Sequence, residues 1–174
     1  MMQRLKKEFP GASVCVGDTP CCSAADNFEG VDEISPGNFV FYDLMQVQIG
    51  SCSFPDIAVA LAAPVVAKYP NRSELILHGG AVHLSKESIR WNGNRVFGLP
   101  VALDEIAGKF SWSAPFHDSY VKALSQEHGV LKCSSQLFSE LQIGDLVGIL
   151  PVHSCLTANL MGNHYLLDHT GGIK

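Results

Sequence analysis

The feature that most constrains the fold is a succession of short, β-rich apolar runs from residue 29 onward. Gly, Asn, Asp and Pro separate the runs, and these residues favour turns, whereas β-branched and aromatic residues favour strands. We therefore predict a mainly β chain, folded as an antiparallel sandwich or a barrel-like domain, with residues 138–141 as a helical or turn insertion. The predicted strand runs are NFVFYDL, DIAVALAAPVVAKYP, SELILHGGAVHL, NRVFGL, YVKALSQEHGVLKCS, DLVGILPVH and HYLLDH.

The first 28 residues have a different pattern, that of a helix followed by a short strand. Apolar residues recur at helical spacing over residues 2–9, and a Pro-Gly pair ends the predicted helix. The apolar segment ASVCVG is predicted to be a strand, and a Gly-Asp-Thr-Pro turn follows it. We therefore expect two units, residues 1–28 and residues 29–174.

Composition excludes some partners. The 174 residues are 47% hydrophobic and 17% charged, which is typical of a globular protein and not of a disordered one. A net charge of -5 argues against nucleic acid or an anionic membrane as a partner, because either needs a basic face. The N-terminus has charges without a following apolar run, so it does not resemble a signal peptide. With six sparse cysteines, a reduced cytoplasmic protein is expected.

Two metal-binding residue types, His153 and Cys155, lie two positions apart in the segment LPVHSC. If the segment is extended, side chains at i and i+2 share a face, so both residues would bind one zinc ion. Two ligands leave the other positions of a tetrahedral site open to water or substrate, as in catalytic zinc sites. On spacing alone, an ordinary buried or loop pair is the commoner alternative.

A set of motifs in chain order resembles one protein family. The set consists of VGDTPCCS, PGNFVFYDLMQVQIGSC, GGAVHLSKE, LSQEHGVL and the HSC motif within LQIGDLVGILPVHSCLTANL. Together these segments resemble the D-serine dehydratase and D-threonine aldolase-like family, pyridoxal-phosphate enzymes of the alanine-racemase type. The resemblance implies that residues 29–174 are a C-terminal β domain with a metal site. It also implies that residues 1–28 are the last helix, strand and turn of a (β/α)8 barrel, so that the chain is part of a longer protein or a shortened form of one.

The activity implied by the resemblance is that of a lyase acting on small D-amino acids with a β-hydroxyl group. Loss of water would make the enzyme a dehydratase, and cleavage between Cα and Cβ would make it an aldolase. Pyridoxal phosphate would supply the electron sink, and a metal held by His153 and Cys155 would act as a Lewis acid. A cysteine ligand favours zinc over a harder ion such as manganese. A homodimer is expected, since enzymes of this kind place active sites between subunits.

The resemblance assigns the cofactor to residues near the N-terminus and to groups outside this sequence. Gly17 and Thr19 would bind the cofactor phosphate, with Asp18 between them, although a plain turn is the alternative. Asp18 departs from the family's commoner serine and places a negative charge near a phosphate. The family's cofactor-binding lysine matches no lysine in this sequence, so we expect the chain alone to be inactive.

Four further polar residues are candidates for the active site by resemblance. Tyr42 and Gln46 would line the substrate pocket; alternatively, Asp43 caps a turn or helix and Tyr42 is a half-buried aromatic residue. Glu127 and His128 match the family's acidic-His-Gly motif and would contact substrate or orient a metal ligand, with a solvated turn as the alternative. The alternative function for the whole chain is a non-catalytic β module that serves dimerisation or protein interaction. A free-standing zinc fold would need a third ligand.

Overall fold

The computed structural model describes residues 2–106 and 109–162. In chain order the strands are β1 (Cys15–Val16), β2 (Glu33–Ile34), β3 (Leu61–Tyr69), β4 (Glu74–His78), β5 (Ile89–Trp91), β6 (Asn94–Val96), β7 (Gly98–Val101), β8 (Leu103–Ile106), β9 (Lys109–Trp112), β10 (Tyr120–Leu124), β11 (His128–Lys132) and β12 (Leu146–Pro151). The helices are α1 (Met2–Glu8), α2 (Thr19–Ala24), α3 (Leu44–Ile49), α4 (Ala81–Leu84), α5 (Ser135–Glu140) and α6 (Ser154–Met161), with 3-10 turns at Phe54–Asp56 and Pro70–Arg72. Within the described residues, every helix is too short or too polar to cross a membrane.

The main element is a six-stranded sheet in the order β10-β11-β4-β3-β12-β7. Every pair of neighbours in this order is antiparallel. The two outer strands also approach each other, because the N–H of Phe97, just before β7, donates to the carbonyl of Val121 in β10 at 2.9 Å. A closed sheet leaves few unpaired edge groups. The sheet is thus a nearly closed barrel, and the predicted antiparallel barrel-like fold is confirmed.

Residues that point into the barrel form its core. Along β3, Leu61, Ala63 and Val65 are buried while the residues between them are more exposed, as the two-residue period of a strand requires. They pack with inward residues of β4, β11 and β12 in one apolar cluster. Burying a Leu or Val side chain stabilises the fold by about 1.5–3 kcal/mol, so this cluster is a main source of stability.

Strand β12 is buried on both faces. Val147 and Ile149 belong to the core inside the barrel, whereas Leu150 and Val152 pack outside it against Leu44 of α3. A strand that is covered on both faces has a continuous apolar sequence, without the alternation of apolar and polar residues seen in a half-exposed strand. The segment LVGILPV has this continuous pattern. The chain that follows β12 is therefore positioned by packing on two sides.

The N-terminal segment has the predicted helix and strand. The helix expected over residues 2–9 is α1, and the strand expected in ASVCVG is β1. β1 pairs in parallel with β2, which lies beyond residue 28, so this small sheet spans the predicted boundary. The division into residues 1–28 and 29–174 stays a prediction.

The strand predicted at residues 38–44 is wrong. Turns occupy residues 38–41, and α3 starts at Leu44 with Asp43 as its N-cap. The alternative in which Asp43 caps a helix is confirmed, because its carboxylate accepts the N–H of Gln46 at 2.9 Å. Phe39 is 46% exposed and lies in these turns. A capping carboxylate thus overrides the local apolar pattern. The predicted run HYLLDH lies outside the described residues.

Candidate metal centre

His153 and Cys155 lie where a strand passes into a helix. β12 ends at Pro151, His153 is the N-cap of α6 with φ -136° and ψ 99°, and Ser154 begins the helix. The expectation of an extended segment is therefore wrong after His153, because Cys155 already belongs to the first turn of α6. We refer to residues 152–155 as the junction.

The imidazole of His153 is held by a carboxylate from another part of the chain. Its Nδ1 lies 3.1 Å from Oε2 of Glu87, in the segment after α4. With a neutral imidazole, Nδ1–H donates to Glu87 and the lone pair of Nε2 is left for another ligand. Carboxylate–histidine pairs of this kind orient metal-binding histidines in many proteins. Sequence reasoning missed Glu87, although it stands in the GGAVHLSKE motif.

The thiol of Cys155 is half-buried beside two oxygen atoms. Its Sγ lies 3.5 Å from Oδ1 of Asn38 and 3.7 Å from the carbonyl of Gly37. Burial, and then the negative charge of Asp43, raise the pKa of the Cys155 thiol above its ordinary value. The free thiol is therefore protonated at neutral pH, and a bound cation would replace that proton, as metal binding to cysteine generally does.

A buried carboxylate fixes the position of the junction. Asp43, which is 1% exposed, accepts hydrogen bonds from the Nδ2 of Asn38 at 2.5 Å and from the N–H of Gln46 at 2.9 Å. It also accepts the N–H of Ser154 at 3.1 Å. Asp43 therefore satisfies an N-terminal donor of α6 as well as one of α3. His153 makes no capping bond with its own side chain, so its imidazole is free for the contact with Glu87.

The two candidate pocket residues lie close to the junction. The carbonyl of Tyr42 accepts the hydroxyl of Ser154 at 2.5 Å, and the phenol of Tyr42 is 3.0 Å from the hydroxyl of Ser23. Tyr42 has a φ of 47°, in the left-handed region that is strained for an aromatic residue. Gln46 is 7% exposed, and its Oε1 has no hydrogen-bond partner among the residues that the structure describes. A substrate role for Tyr42 and Gln46 stays a prediction.

The donor types at the junction are compatible with a metal of open coordination sphere, and metal binding by His153 and Cys155 stays a prediction. In residues 2–106 and 109–162, no three His, Cys, Asp or Glu side chains are placed to hold an ion together. His153 and Cys155 alone would provide a nitrogen and a sulfur ligand, which is a donor set that zinc accepts. Water or substrate would fill the remaining positions, as in catalytic zinc sites.

The turn at Gly17 does not fit a phosphate in this conformation. The carboxylate of Asp18 accepts the N–H of Cys21 at 2.8 Å, and hydrogen bonds from Cys21 hold the pKa of Asp18 below its ordinary value. Pro20 has no N–H, and the buried Thr19 hydroxyl accepts the N–H of Asn38 at 3.2 Å. The carboxylate of Asp18 thus places a negative charge at this turn and occupies an N–H group that a phosphate would need as a donor. Cofactor binding by Gly17, Asp18 and Thr19 stays a prediction that this geometry does not favour.

Glu127 and His128 lie in a part of the fold that contacts α4 and β4. The turn before β11 packs against the start of α4, and His128 lies opposite His78 on the neighbouring strand. Neither residue contacts His153 or Cys155 through a hydrogen bond in the described part of the chain. Their catalytic role stays a prediction.

A comparison with family models decides the relationship. The model described as "Putative serine dehydratase domain" matches residues 58–167, well over half of the sequence. The chain belongs to the serine dehydratase domain family. The resemblance seen in the ordered motifs is thereby confirmed.

Members with assigned activities are similar over nearly the whole chain. D-serine dehydratase of Dictyostelium discoideum is 32% identical over 170 residues, which are 92% of this chain and 40% of that enzyme. D-threo-3-hydroxyaspartate dehydratase of Delftia sp. (strain HT23) is 26% identical over 171 residues, 95% of this chain and 43% of that enzyme. The chain therefore spans less than half the length of these relatives.

Solved structures share the fold. An alanine racemase-like protein from Idiomarina loihiensis matches with a TM-score of 0.80 at 26% identity, covering 98% of this chain and 45% of that one. A structure of D-threo-3-hydroxyaspartate dehydratase matches with a TM-score of 0.80 at 24% identity, covering 99% of this chain and 46% of that one. The second match is a likeness of fold.

Proposed function

We propose that this chain is the metal-binding β domain of a pyridoxal-phosphate-dependent lyase that acts on D-amino acids with a β-hydroxyl group. Family membership supports the class of enzyme, and the relatives are named for D-serine and D-threo-3-hydroxyaspartate, which both carry a β-hydroxyl. Dehydration is favoured over aldol cleavage, because the D-threonine aldolase of Filomicrobium marinum is similar in fold only, at 20% identity and a TM-score of 0.55.

The observation that carries the proposal is the His153–Glu87 pair beside Cys155. The carboxylate of Glu87 holds Nδ1 of His153, which leaves Nε2 as a ligand, and Cys155 supplies a sulfur from the first turn of α6. A cysteine-to-alanine form of D-threo-3-hydroxyaspartate dehydratase is described as metal-free, and a histidine-to-alanine form has also been solved. The two substituted positions of that enzyme are two residues apart, the same spacing as here.

In this proposal each group at the junction has a defined task. A zinc ion bound there would polarise the β-hydroxyl or the carboxylate of the substrate as a Lewis acid. Glu87 keeps the imidazole in the ligand tautomer, and Asp43 keeps the first turn of α6 in place so that Cys155 stays in position. Gln46 and Tyr42 are the candidates to orient a substrate, since the carbonyl of Tyr42 accepts the hydroxyl of Ser154 and Gln46 lies in the first turn of α3, which Asp43 caps.

The cofactor would be bound by groups that this chain does not provide. The relatives are more than twice as long as the matched segment, and the Gly17 turn does not fit a phosphate as it stands. We therefore expect the chain alone to bind metal but to be inactive toward D-serine.

Metal content measured by mass spectrometry, after purification without a nickel column, tests the metal centre. The native chain should contain close to one zinc per molecule from this site, and Cys155→Ala should lose it because one of two protein ligands is removed. Cys15→Ala removes an exposed thiol from β1 and should leave the zinc content unchanged. Equal zinc in the native chain and in Cys155→Ala would contradict the proposal.

A further inference from the structure

Three histidine side chains gather at one end of the barrel. His78 ends β4 and His128 begins β11, and the two residues are direct partners in the antiparallel register. Their ring centroids are 5.9 Å apart. The ring of His83, from α4, stands edge-on to His78 with a centroid distance of 5.1 Å. We refer to His78, His83 and His128 as the histidine cluster.

Backbone contacts bring the cluster together. The N–H of Ala81 donates to the carbonyl of Ser125 at 2.9 Å, and the N–H of Val82 donates to the carbonyl of Gln126 at 3.0 Å. A Cβ at Gly80 would come within 2.4 Å of the backbone nitrogen of His128, so only glycine allows this approach. The GGAVHLSKE and LSQEHGVL motifs therefore meet at van der Waals contact, and this contact places the three rings side by side.

The electrostatics of the cluster suit a cation. His83 accepts the N–H of Gly80 on Nδ1 at 3.1 Å, which fixes its ring. Burial, and then the neighbouring ring of His78, lower the pKa of His83 below its ordinary value, while the charge of Glu127 acts in the opposite direction. A neutral His83 adds no positive charge beside its neighbours, and Glu127 adds a negative one. His78 and His128 are exposed, and their ring nitrogens make no hydrogen bond in residues 2–106 and 109–162.

We propose that His78 and His128 bind a divalent transition-metal ion such as zinc between their rings, at a second site separate from the junction. With zinc–nitrogen bonds of about 2.1 Å, two imidazoles on one tetrahedral ion have ring centres roughly 5 Å apart. The observed distance between the His78 and His128 ring centroids is 5.9 Å, and small side-chain rotations of these exposed residues would bring it to this value. No third side chain in the described part of the chain is placed to share the ion, so water completes the coordination.

The site does not depend on the proposed function, and its test begins with the first site removed. The His153→Ala/Cys155→Ala chain is titrated with zinc in a calorimeter, and the imidazole nitrogens are followed by NMR. One zinc per chain should bind, with the ring signals of His78 and His128 shifting. Replacing either residue by Ala should weaken zinc binding at least about tenfold, since one of two protein ligands is lost.

His117→Ala is the matched control, because this histidine lies outside the cluster with a side chain that is 89% exposed. It should leave zinc affinity unchanged. The proposal is overturned if the chain without the first site takes up no zinc, or if His78→Ala and His128→Ala bind zinc as tightly as their parent. An equal loss of zinc affinity in His117→Ala would also overturn it, because zinc binding would then not be specific to the histidine cluster. Zinc bound by the native chain and absent from His153→Ala/Cys155→Ala would support the junction alone.

Discussion

At the scale of single residues, Glu87 determines which nitrogen of the His153 imidazole is left for a ligand. The carboxylate lies 66 residues away in sequence and reaches Nδ1 at 3.1 Å. Without it, the ring would be free to rotate and to carry its proton on either nitrogen. The orientation of the His153 imidazole by this contact is a property of the fold that the HSC motif does not contain.

Removing the carboxylate of Glu87 should weaken zinc binding about 10–100-fold while leaving the fold intact, because the orienting partner of a metal-binding histidine is lost. We predict this for Glu87→Ala, with a smaller loss for Glu87→Gln, whose amide oxygen can still accept the Nδ1 proton. Competition titration with a zinc chelator measures the affinity. Glu29→Gln, at an exposed position, serves as the control. Unchanged affinity in Glu87→Ala would contradict the positioning role.

A second residue-scale prediction concerns Glu74 and acid stability. Glu74, 7% exposed, accepts a hydrogen bond from Nζ of Lys122 at 2.5 Å, and this contact holds the pKa of Glu74 below its ordinary value of 4.5. A depressed folded-state pKa contributes stability above the unfolded-state pKa, and that contribution is lost as the pH falls through the folded-state pKa. Glu74→Gln should therefore lower the free energy of unfolding by about 2 kcal/mol at pH 7.

Urea unfolding across a pH series measures this effect. The difference between the native chain and Glu74→Gln should shrink as the pH falls below the ordinary pKa of a glutamate, because the native carboxyl group is then protonated as well. Glu33→Gln, at an exposed position on β2, should show no comparable pH-dependent difference. A gap that stays constant from pH 7 to pH 3 would show that the charge of Glu74 is not its source.

At the scale of elements, Asp43 links helices α3 and α6, although it stands 111 residues before Ser154, the first residue of α6. It caps α3 through Gln46 and satisfies the N–H of Ser154 in α6. Because the carboxylate is buried, its loss would leave several donors without acceptors, and each such donor costs about 1–3 kcal/mol. The position of Cys155 at the start of α6 thus depends on an acidic residue in a distant segment.

We predict that Asp43→Ala lowers the free energy of unfolding by roughly 3 kcal/mol or more. It should also lower zinc affinity, since the first turn of α6 loses its anchor. Asp18→Ala provides the matched control, because Asp18 is an exposed N-cap of α2, where loss of a cap costs about 1 kcal/mol. Urea unfolding compares the two. If both variants lose a similarly small amount of unfolding free energy, the buried hydrogen bonds of Asp43 contribute little to stability.

At the scale of the whole molecule, exposed apolar side chains occur in the segment that contacts Cys155 and in the helix that follows the junction. Val40 is 73% exposed and lies two residues after Asn38, whose side chain contacts Cys155. Leu160 and Met161, near the end of α6, are 44% and 38% exposed. Apolar surface next to a candidate site is typical of a surface covered by another subunit or domain. This distribution supports the expected homodimer, which stays a prediction.

We predict that the chain self-associates through this face, so that light scattering at high concentration gives a mass above that of a monomer. Val40→Asp should shift the mass toward the monomer, because a charge would be buried in the contact. Ile143→Asp is the control: Ile143 is 65% exposed but lies beyond the opposite end of β12 from His153. A clean monomer for the native chain, or equal effects of both substitutions, would rule out association through this face.

The sequence alone determined the class of the fold, and it supplied the prediction that His153 and Cys155 bind a metal. Short apolar runs between turn residues specify antiparallel strands, because period, turn chemistry and β-propensity are local properties of the chain. The ordered motifs identified the family, and HSC indicated His153 and Cys155 as a metal-binding pair. The local pattern was misleading at residues 38–44, where Asp43 caps α3. The carboxylate of Asp43 also accepts the N–H of Ser154, which is remote in sequence.

Only the tertiary structure decided which side chains surround His153 and Cys155. Glu87 reaches His153, Asp43 reaches Ser154, and His78 lies opposite His128, through contacts between segments 50 to 111 residues apart. Such contacts follow from the register of the barrel and from the packing on both faces of β12. Both are set by the sum of many buried contacts in the closed sheet, and no short segment of the sequence contains that information.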